Sequence, residues 1–296
     1  MKTAAVATAA SPRSRLADLF VFTKVRVNLL VVATTAGGFY MASPDGMNFA
    51  RLAFTVAGTA LVAGGAAALN QISERDIDLL MHRTRHRPLP DGRMGLTEAR
   101  AIAWAASIGG VLLLAVTANI LAAAVAAITL VTYAHVYTPM KRVTSFSTVV
   151  GAVPGALPPV IGWAAARNSV DAPAWALFLI VFLWQLPHFL AIAWLYREDY
   201  GRAGLPMLPV VDPDGASTAR QSLLYATALV PVSILPSALG LAGPVYAASA
   251  LALGLAFIAV GIRFAMSRTK PNARLLFLTS LVYLPAVWIV MMLDRN

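Results

Sequence analysis

The chain has no cysteine. That excludes disulfides, thiolate metal sites and cysteine nucleophiles, and it leaves the compartment open. Charge is scarce as well. Only 12% of the 296 residues are Asp, Glu, Lys or Arg, where soluble domains carry roughly a quarter. With 59% hydrophobic residues and a mean hydropathy of +0.72, an ordinary soluble domain is excluded and an integral membrane protein is expected. Acid is the scarcer sign, with 13 Asp and Glu against 23 Lys and Arg, a net charge of +10. That balance raises nucleic acid as a partner, so the placement of the cations has to decide. A secretory hydrophobic region is also missing. Met1 to Phe20 holds a short Ala-rich run broken by Pro12, Arg13 and Arg15. It reads as a short cytosolic tail, residues 1–20, in preference to a cleaved signal or a mitochondrial-type presequence.

What is present is apolar run after apolar run. Windows of about 20 residues predict nine spans within a single domain, residues 21–296. They cover Val25–Met41, Leu52–Ile72, Ala99–Thr117, Ile120–Tyr137, Thr148–Ala166, Ala174–Tyr196, Gln221–Leu239, Val245–Ala265 and Leu275–Leu293. The fifth, with Gly151, Pro154, Gly155, Pro158 and Pro159, is expected to be the least regular. With the N-terminus inside, 20 of the 23 Lys and Arg fall on one side, and Arg51, Arg167 and Arg295 alone fall on the other. The positive-inside rule then puts loops Arg75–Arg93, Thr138–Ser147 and Arg197–Arg220 at the cytoplasmic side of the inner membrane. The same placement argues against nucleic acid, because the cations flank spans or sit beside carboxylates and form no basic domain. The opposite loops are short and bland. A loaded face opposite an empty one suits a membrane enzyme better than a transporter, which needs polar routes opening both ways.

The densest polar segment ends the second span, at Asn70-Gln71-Ile72-Ser73-Glu74-Arg75-Asp76-Ile77-Asp78. At 3.6 residues per turn, Asn70, Glu74 and Asp78 share one helix stripe. Their oxygens suit a hard divalent cation such as Mg²⁺ shared with a phosphate group. The bland alternative is a solvated helix end, yet acids at such depth are expensive. Asp76 lies off the stripe and is expected to pair with Arg75 or Arg83. Arg83 and Arg87 are candidate phosphate contacts, although arginines after a span also serve topology. In Tyr137-Thr138-Pro139-Met140-Lys141-Arg142, Lys141 and Arg142 emerge at the same face, placed to neutralise a leaving diphosphate.

Further on, Gln185, His188, Tyr196 and Asp199 lie near one stripe of the sixth span, with Pro187 blurring the register. Asp199 reads as a second metal-side carboxylate and His188 as a polar group facing a cavity. His82 and His86 read as surface residues. Gly204-Leu205-Pro206-Met207-Leu208-Pro209 reads as a stiff loop that is not regular helix, either a lid or a connector.

These residues resemble the UbiA superfamily of intramembrane prenyltransferases, and within it the protoheme IX farnesyltransferases. Three blocks carry the likeness: Asn70–Asp78 through Arg83–Pro90; Tyr137–Thr144 with Gly155–Trp163; and Pro187-His188-Phe189 with Asp199–Val210. Thr23-Lys24-Val25-Arg26 is a fourth, shorter block, and the resemblance runs from about Leu19 onward. It implies a bundle of nine transmembrane helices, all α, around a central cavity open to the cytoplasmic side. It implies farnesyl diphosphate and protoheme IX as substrates, Mg²⁺ as cofactor, and heme A synthase or other cytochrome oxidase assembly proteins as partners in the bilayer. Asn70, Glu74 and Asp78 match the first acidic motif, with Glu in place of one Asp. The second motif departs from the pattern, since Asp199 stands with Glu198 and not with another Asp. Arg26, Lys141 and Arg142 would help neutralise diphosphate; Tyr137, Gln185 and Tyr196 would line the substrate site; His188 would contact heme. Two alternatives stay open: an aromatic acceptor such as a quinone precursor, and a heme transporter, which leaves the Asn70/Glu74/Asp78 stripe unexplained.

Overall fold

The computed structural model describes residues 14–296. Most of the expected tail lies outside them, and what remains of it is folded. Helix α1 spans Arg15–Phe22, capped by the Ser14 hydroxyl accepting from the Ala17 N–H at 3.3 Å. Phe22 is fully buried against Ala68, Met94 and Ala99. The boundary at residue 20 therefore runs through a docked helix.

The remaining elements are α2 (Val25–Met41), α3 (Phe49–Ser73), α4 (Arg75–Asp78), α5 (Leu96–Thr117) and α6 (Ile120–Val131). A π-helical turn (Thr132–Tyr137) leads into α7 (Thr138–Met140), then α8 (Ser147–Ala156), α9 (Pro158–Arg167) and α10 (Ala172–Leu195). The chain closes with α11 (Arg197–Arg202), α12 (Leu208–Val211), α13 (Ala216–Ala238), α14 (Pro244–Met266) and α15 (Lys270–Leu293). Among the described residues, eight helical segments are long and apolar enough to cross a membrane, counting Ile120–Met140 and Ser147–Arg167 as one each. The first expected span is the shorter apolar helix α2. The chain is an all-α, multi-pass membrane protein.

The breaks have local causes. Pro158 and Pro159 lack the N–H that would continue α8, so the fifth span divides at Leu157 into α8 and α9. The π turn in the fourth span has no comparable marker in the sequence; such turns concentrate at functional sites. Asn119 accepts from the Ala122 N–H at 2.8 Å to cap α6. Its amide also donates to the Ala164 carbonyl at 2.8 Å, tying α6 to α9. Helix α9 is buried from Pro158 to Ala165. It approaches α2 so closely that a Cβ on Gly38 would stand 2.1 Å from the Pro159 carbonyl oxygen, and one on Gly162 would stand 2.0 Å from that of Thr35. Small residues allow this contact where lipid offers no hydrophobic drive for helix association.

The two ends of the bundle differ. At one end the charged side chains are spent on backbone groups: Arg295 donates to the Tyr40 carbonyl at 2.7 Å, and the Asp294 carboxylate accepts from the Tyr246 N–H at 2.7 Å. At the other end, charged side chains from segments distant in sequence pair with one another. There Ile77 and Met81 of the α3–α5 connection pack on Ala203, Leu205 and Met207. Within that stiff run, Gly204 takes a left-handed φ of 66°. The final Leu208-Pro209 departs from the expected loop, because Pro209 seeds the one-turn helix α12.

Candidate active site

The polar end is built on a junction. Glu74 closes α3 with φ −101° and ψ 6°, and α4 restarts at Arg75. The expected single helix is thus interrupted, but backbone bonds still run from the Glu74 N–H to the Asn70 carbonyl (2.9 Å) and from the Asp78 N–H to the Glu74 carbonyl (2.8 Å). The four-residue register survives the break. Asn70, Glu74 and Asp78 are all buried.

Each of the three carries a cation. Lys24 donates to Asn70 Oδ1 at 2.9 Å, and Asn70 Nδ2 donates to the Thr138 hydroxyl at 3.2 Å. Lys141 donates to Glu74 Oε1 at 2.8 Å and stands 4.6 Å from the centre of the Tyr137 ring. Arg87 donates to Asp78 Oδ2 at 2.7 Å. The other Asp78 oxygen, Oδ1, is buried and has no hydrogen-bond partner. A buried acceptor left open is costly and calls for an explanation.

The electrostatics follow from depth and pairing. Burial pushes the Lys24 ammonium below its ordinary range. Burial pushes the Glu74 carboxyl up, but Lys141, through its charge and hydrogen bond, together with Lys24 outweighs it and holds Glu74 below the usual carboxylate range. Burial likewise opposes the Lys141 ammonium, and its attraction to Tyr137 and Glu74 prevails, raising it. For Asp78 burial wins over Arg87, and the carboxyl is raised.

Around this core the other predicted residues spread out. Arg142 forms a two-pronged pair with Asp76 at 2.9 and 2.7 Å and donates to the Ser73 carbonyl at 2.7 Å. Asp76 therefore pairs with neither Arg75 nor Arg83, and its hydrogen bonds from Arg142 hold it below the usual range. Arg83 lies 5.2 Å from the Tyr196 ring centre and donates to the Tyr200 hydroxyl at 3.3 Å, joining the α3–α5 connection to α11. Asp199 pairs with Arg202 on its own helix. Arg26 is exposed, and His82 and His86 are exposed as expected.

Gln185 and His188 do not face one point. Gln185 Nε2 donates to the Ala152 carbonyl of α8 at 2.8 Å, whereas His188 Nδ1 lies 2.7 Å from Ser280 Oγ of α15. Residues three apart on a helix are offset by about 60°, enough here to reach different neighbours.

Sequence pattern does not single out two residues of the cluster. Lys24 lies in the Thr23–Arg26 block; it adopts a left-handed φ of 51° between α1 and α2, uncommon for a side-chain-bearing residue. Thr138 lies beside Tyr137. Its hydroxyl also donates to the Tyr133 carbonyl at 2.8 Å, from the π turn.

Among the described residues no three His, Asp or Glu side chains surround one ion-sized point. The donor set nevertheless suits magnesium in kind: one amide and two carboxylates, all hard oxygens, with Asp78 Oδ1 open.

Comparison with known proteins identifies the family. The profile of the UbiA prenyltransferase family matches residues 30–283. A protoheme IX farnesyltransferase of Solibacter usitatus is 49% identical over 287 residues, covering 94% of this chain and 98% of the relative. Among solved structures, a digeranylgeranylglyceryl phosphate synthase superposes with a TM-score of 0.80 at 18% identity, covering 94% of this chain and 98% of that one. A UbiA homologue from Archaeoglobus fulgidus bound to GPP and Mg²⁺ superposes with a TM-score of 0.64 at 16% identity, covering 93% and 99%. This chain belongs to the UbiA prenyltransferase family and groups with its protoheme IX farnesyltransferases.

Proposed function

We propose that the chain transfers the farnesyl group of farnesyl diphosphate to a vinyl group of protoheme IX, giving heme O and diphosphate. The observation that carries this reading is the buried cluster of three oxygen-bearing side chains, each matched by a cation, with one carboxylate oxygen left open.

Asn70, Glu74 and Asp78 would hold Mg²⁺ together with diphosphate oxygens. When bound, the ion supplies Lewis-acid neutralisation of charge developing on the diphosphate. Lys24, Lys141 and Arg87, which rest on those same oxygens, would turn their donors to the phosphates. That exchange of partners keeps the buried charge balanced. Arg83 adds a phosphate contact from the mouth. Arg142 acts from one step back, pinning Asp76 and Ser73 and so the α3–α4 junction. The site faces the cytoplasm, the side carrying most of the cations.

In the reaction the bond between the allylic carbon and the diphosphate oxygen breaks. A vinyl carbon of the porphyrin bonds to that allylic carbon. Water then captures the cation on the neighbouring vinyl carbon and releases a proton, leaving a hydroxyethylfarnesyl side chain. Apolar walls keep water from the first cation before the carbon–carbon bond forms. The nucleophile is an alkene, so no strong general base is required.

The test is conversion by the purified chain in lipid, with protoheme, farnesyl diphosphate and Mg²⁺, read by mass spectrometry. Heme O and one diphosphate per turnover are expected. Prenylation of 4-hydroxybenzoate in place of protoheme would move the acceptor to the aromatic branch. Porphyrin binding without diphosphate release would move the chain out of the enzymes.

A further inference from the structure

His188 sits in the middle of an apolar helix, and its surroundings specify which of its nitrogens is free. Trp184 and His188, one turn apart on α10, both engage Ser280 of α15. The Trp184 indole N–H donates to the Ser280 carbonyl at 2.7 Å, and His188 Nδ1 lies 2.7 Å from the Ser280 hydroxyl oxygen. The Trp184 ring stacks on the imidazole at 5.1 Å between centres, and Phe277 packs on it at 5.0 Å. The ring is clamped between two helices.

Ser280 settles the tautomer. Its hydroxyl oxygen stands 2.6 Å from the Phe277 carbonyl oxygen, the back-bond that helical serines make with their own preceding turn. A hydroxyl has one hydrogen. Were that hydrogen given to His188, two bare oxygens would face each other at van der Waals overlap. Both contacts are satisfied together only if Ser280 donates to Phe277 and accepts from Nδ1–H. A neutral imidazole protonated on Nδ1 carries its lone pair on Nε2. Nε2 makes no hydrogen bond among the described residues, and the half-buried ring keeps an open edge.

We infer that His188 Nε2 is an axial ligand for the iron of the porphyrin acceptor, with Ser280 as the positioning residue that fixes its tautomer and orientation. This rests on protoheme being the acceptor. A lone pair suits a metal centre, whereas it repels a propionate, which would need a donor at the same place. The arrangement is that of a metal-ligating histidine whose second nitrogen is held by a hydrogen bond. Ligation from α10 would fix the porphyrin plane and thereby which vinyl group is presented to the farnesyl carbon.

The test uses the full chain in lipid nanodiscs, without farnesyl diphosphate or Mg²⁺, titrated with ferric protoheme and separately with iron-free protoporphyrin IX. Optical and electron paramagnetic resonance spectra report ligation independently of turnover. Nitrogen ligation is expected in the parent chain. In His188→Gly it is lost, protoheme binding weakens at least tenfold, and added imidazole restores the spectrum. Ser280→Ala weakens protoheme binding several-fold with a shifted spectrum, and Ser280→Thr, which keeps the hydroxyl, restores both. Binding of iron-free protoporphyrin stays within twofold in all variants. Equal weakening of both porphyrins in His188→Gly overturns the inference in favour of a propionate or packing contact and leaves the proposed reaction standing. Parent chain that binds neither porphyrin overturns the inference and the protoheme acceptor together.

Discussion

Two kinds of ion pair alternate within five residues of one another. Glu74 and Asp78 are buried on Lys141 and Arg87, while Asp76, between them, meets Arg142 at the surface. The sequence writes all three carboxylates in one short run beside basic residues, and the helical register separates them. The outer pair is exposed on both sides, with relative side-chain accessibilities of 42% and 60%; the inner Asp78 has none. Water therefore screens the outer pair and leaves it little to contribute. The inner pairs bear the cost of desolvation, and pairing offsets it only while both partners remain. Charge kept at that cost, with one oxygen still open, is what the proposed metal and diphosphate site would require.

The largest effect should come from breaking the inner layer chemically. Asp78→Asn keeps shape and removes the charge; heme O formation is expected to fall by about 10²–10³-fold, measured as initial rate in lipid with folding checked by size-exclusion chromatography. Next comes Arg87→Ala, which strands Asp78 as a buried unpaired charge. It should cost about 3–5 kcal/mol, read as a lowered unfolding midpoint, and the double variant Arg87→Ala with Asp78→Asn should recover much of that loss. The outer layer should respond far less. Arg142→Ala is expected to cost roughly 0.2–1 kcal/mol, to fade in high salt, and to leave turnover within about tenfold if the arginine only pins the junction. Smallest of all, Lys270→Ala, at the exposed partner of Glu198, should leave both midpoint and rate unchanged within error.

The inner layer was half legible in the sequence. Asn70, Glu74 and Asp78 could be grouped because a four-residue spacing outlasts the one-residue break at Glu74. Their partners could not, since Lys24 and Lys141 arrive from 46 and 67 residues away and nothing local reports the pairing. The same contrast runs through the fold. Pro158 and Pro159 announce the break in the fifth span because a missing N–H is written in the residue type. The π turn at Thr132–Tyr137 is announced by nothing, because it is a choice of hydrogen-bond register open to most residues. The expected stripe of Gln185, His188, Tyr196 and Asp199 dispersed for a related reason. Helix α10 is packed between α8 and α15, so a modest angular offset sends neighbouring polar groups to different helices. Lys24 and Arg26 stand two residues apart, and charge alone does not tell which reaches Asn70; the left-handed turn at Lys24 accompanies its contact there.

Magnesium-dependent binding of farnesyl diphosphate tests the account most directly. Measured by calorimetry on the chain in nanodiscs, affinity is predicted to rise at least tenfold when Mg²⁺ is supplied. The gain should disappear with chelator and in Asp78→Asn. An affinity that is the same with Mg²⁺, with chelator and in the Asp78→Asn variant would contradict it.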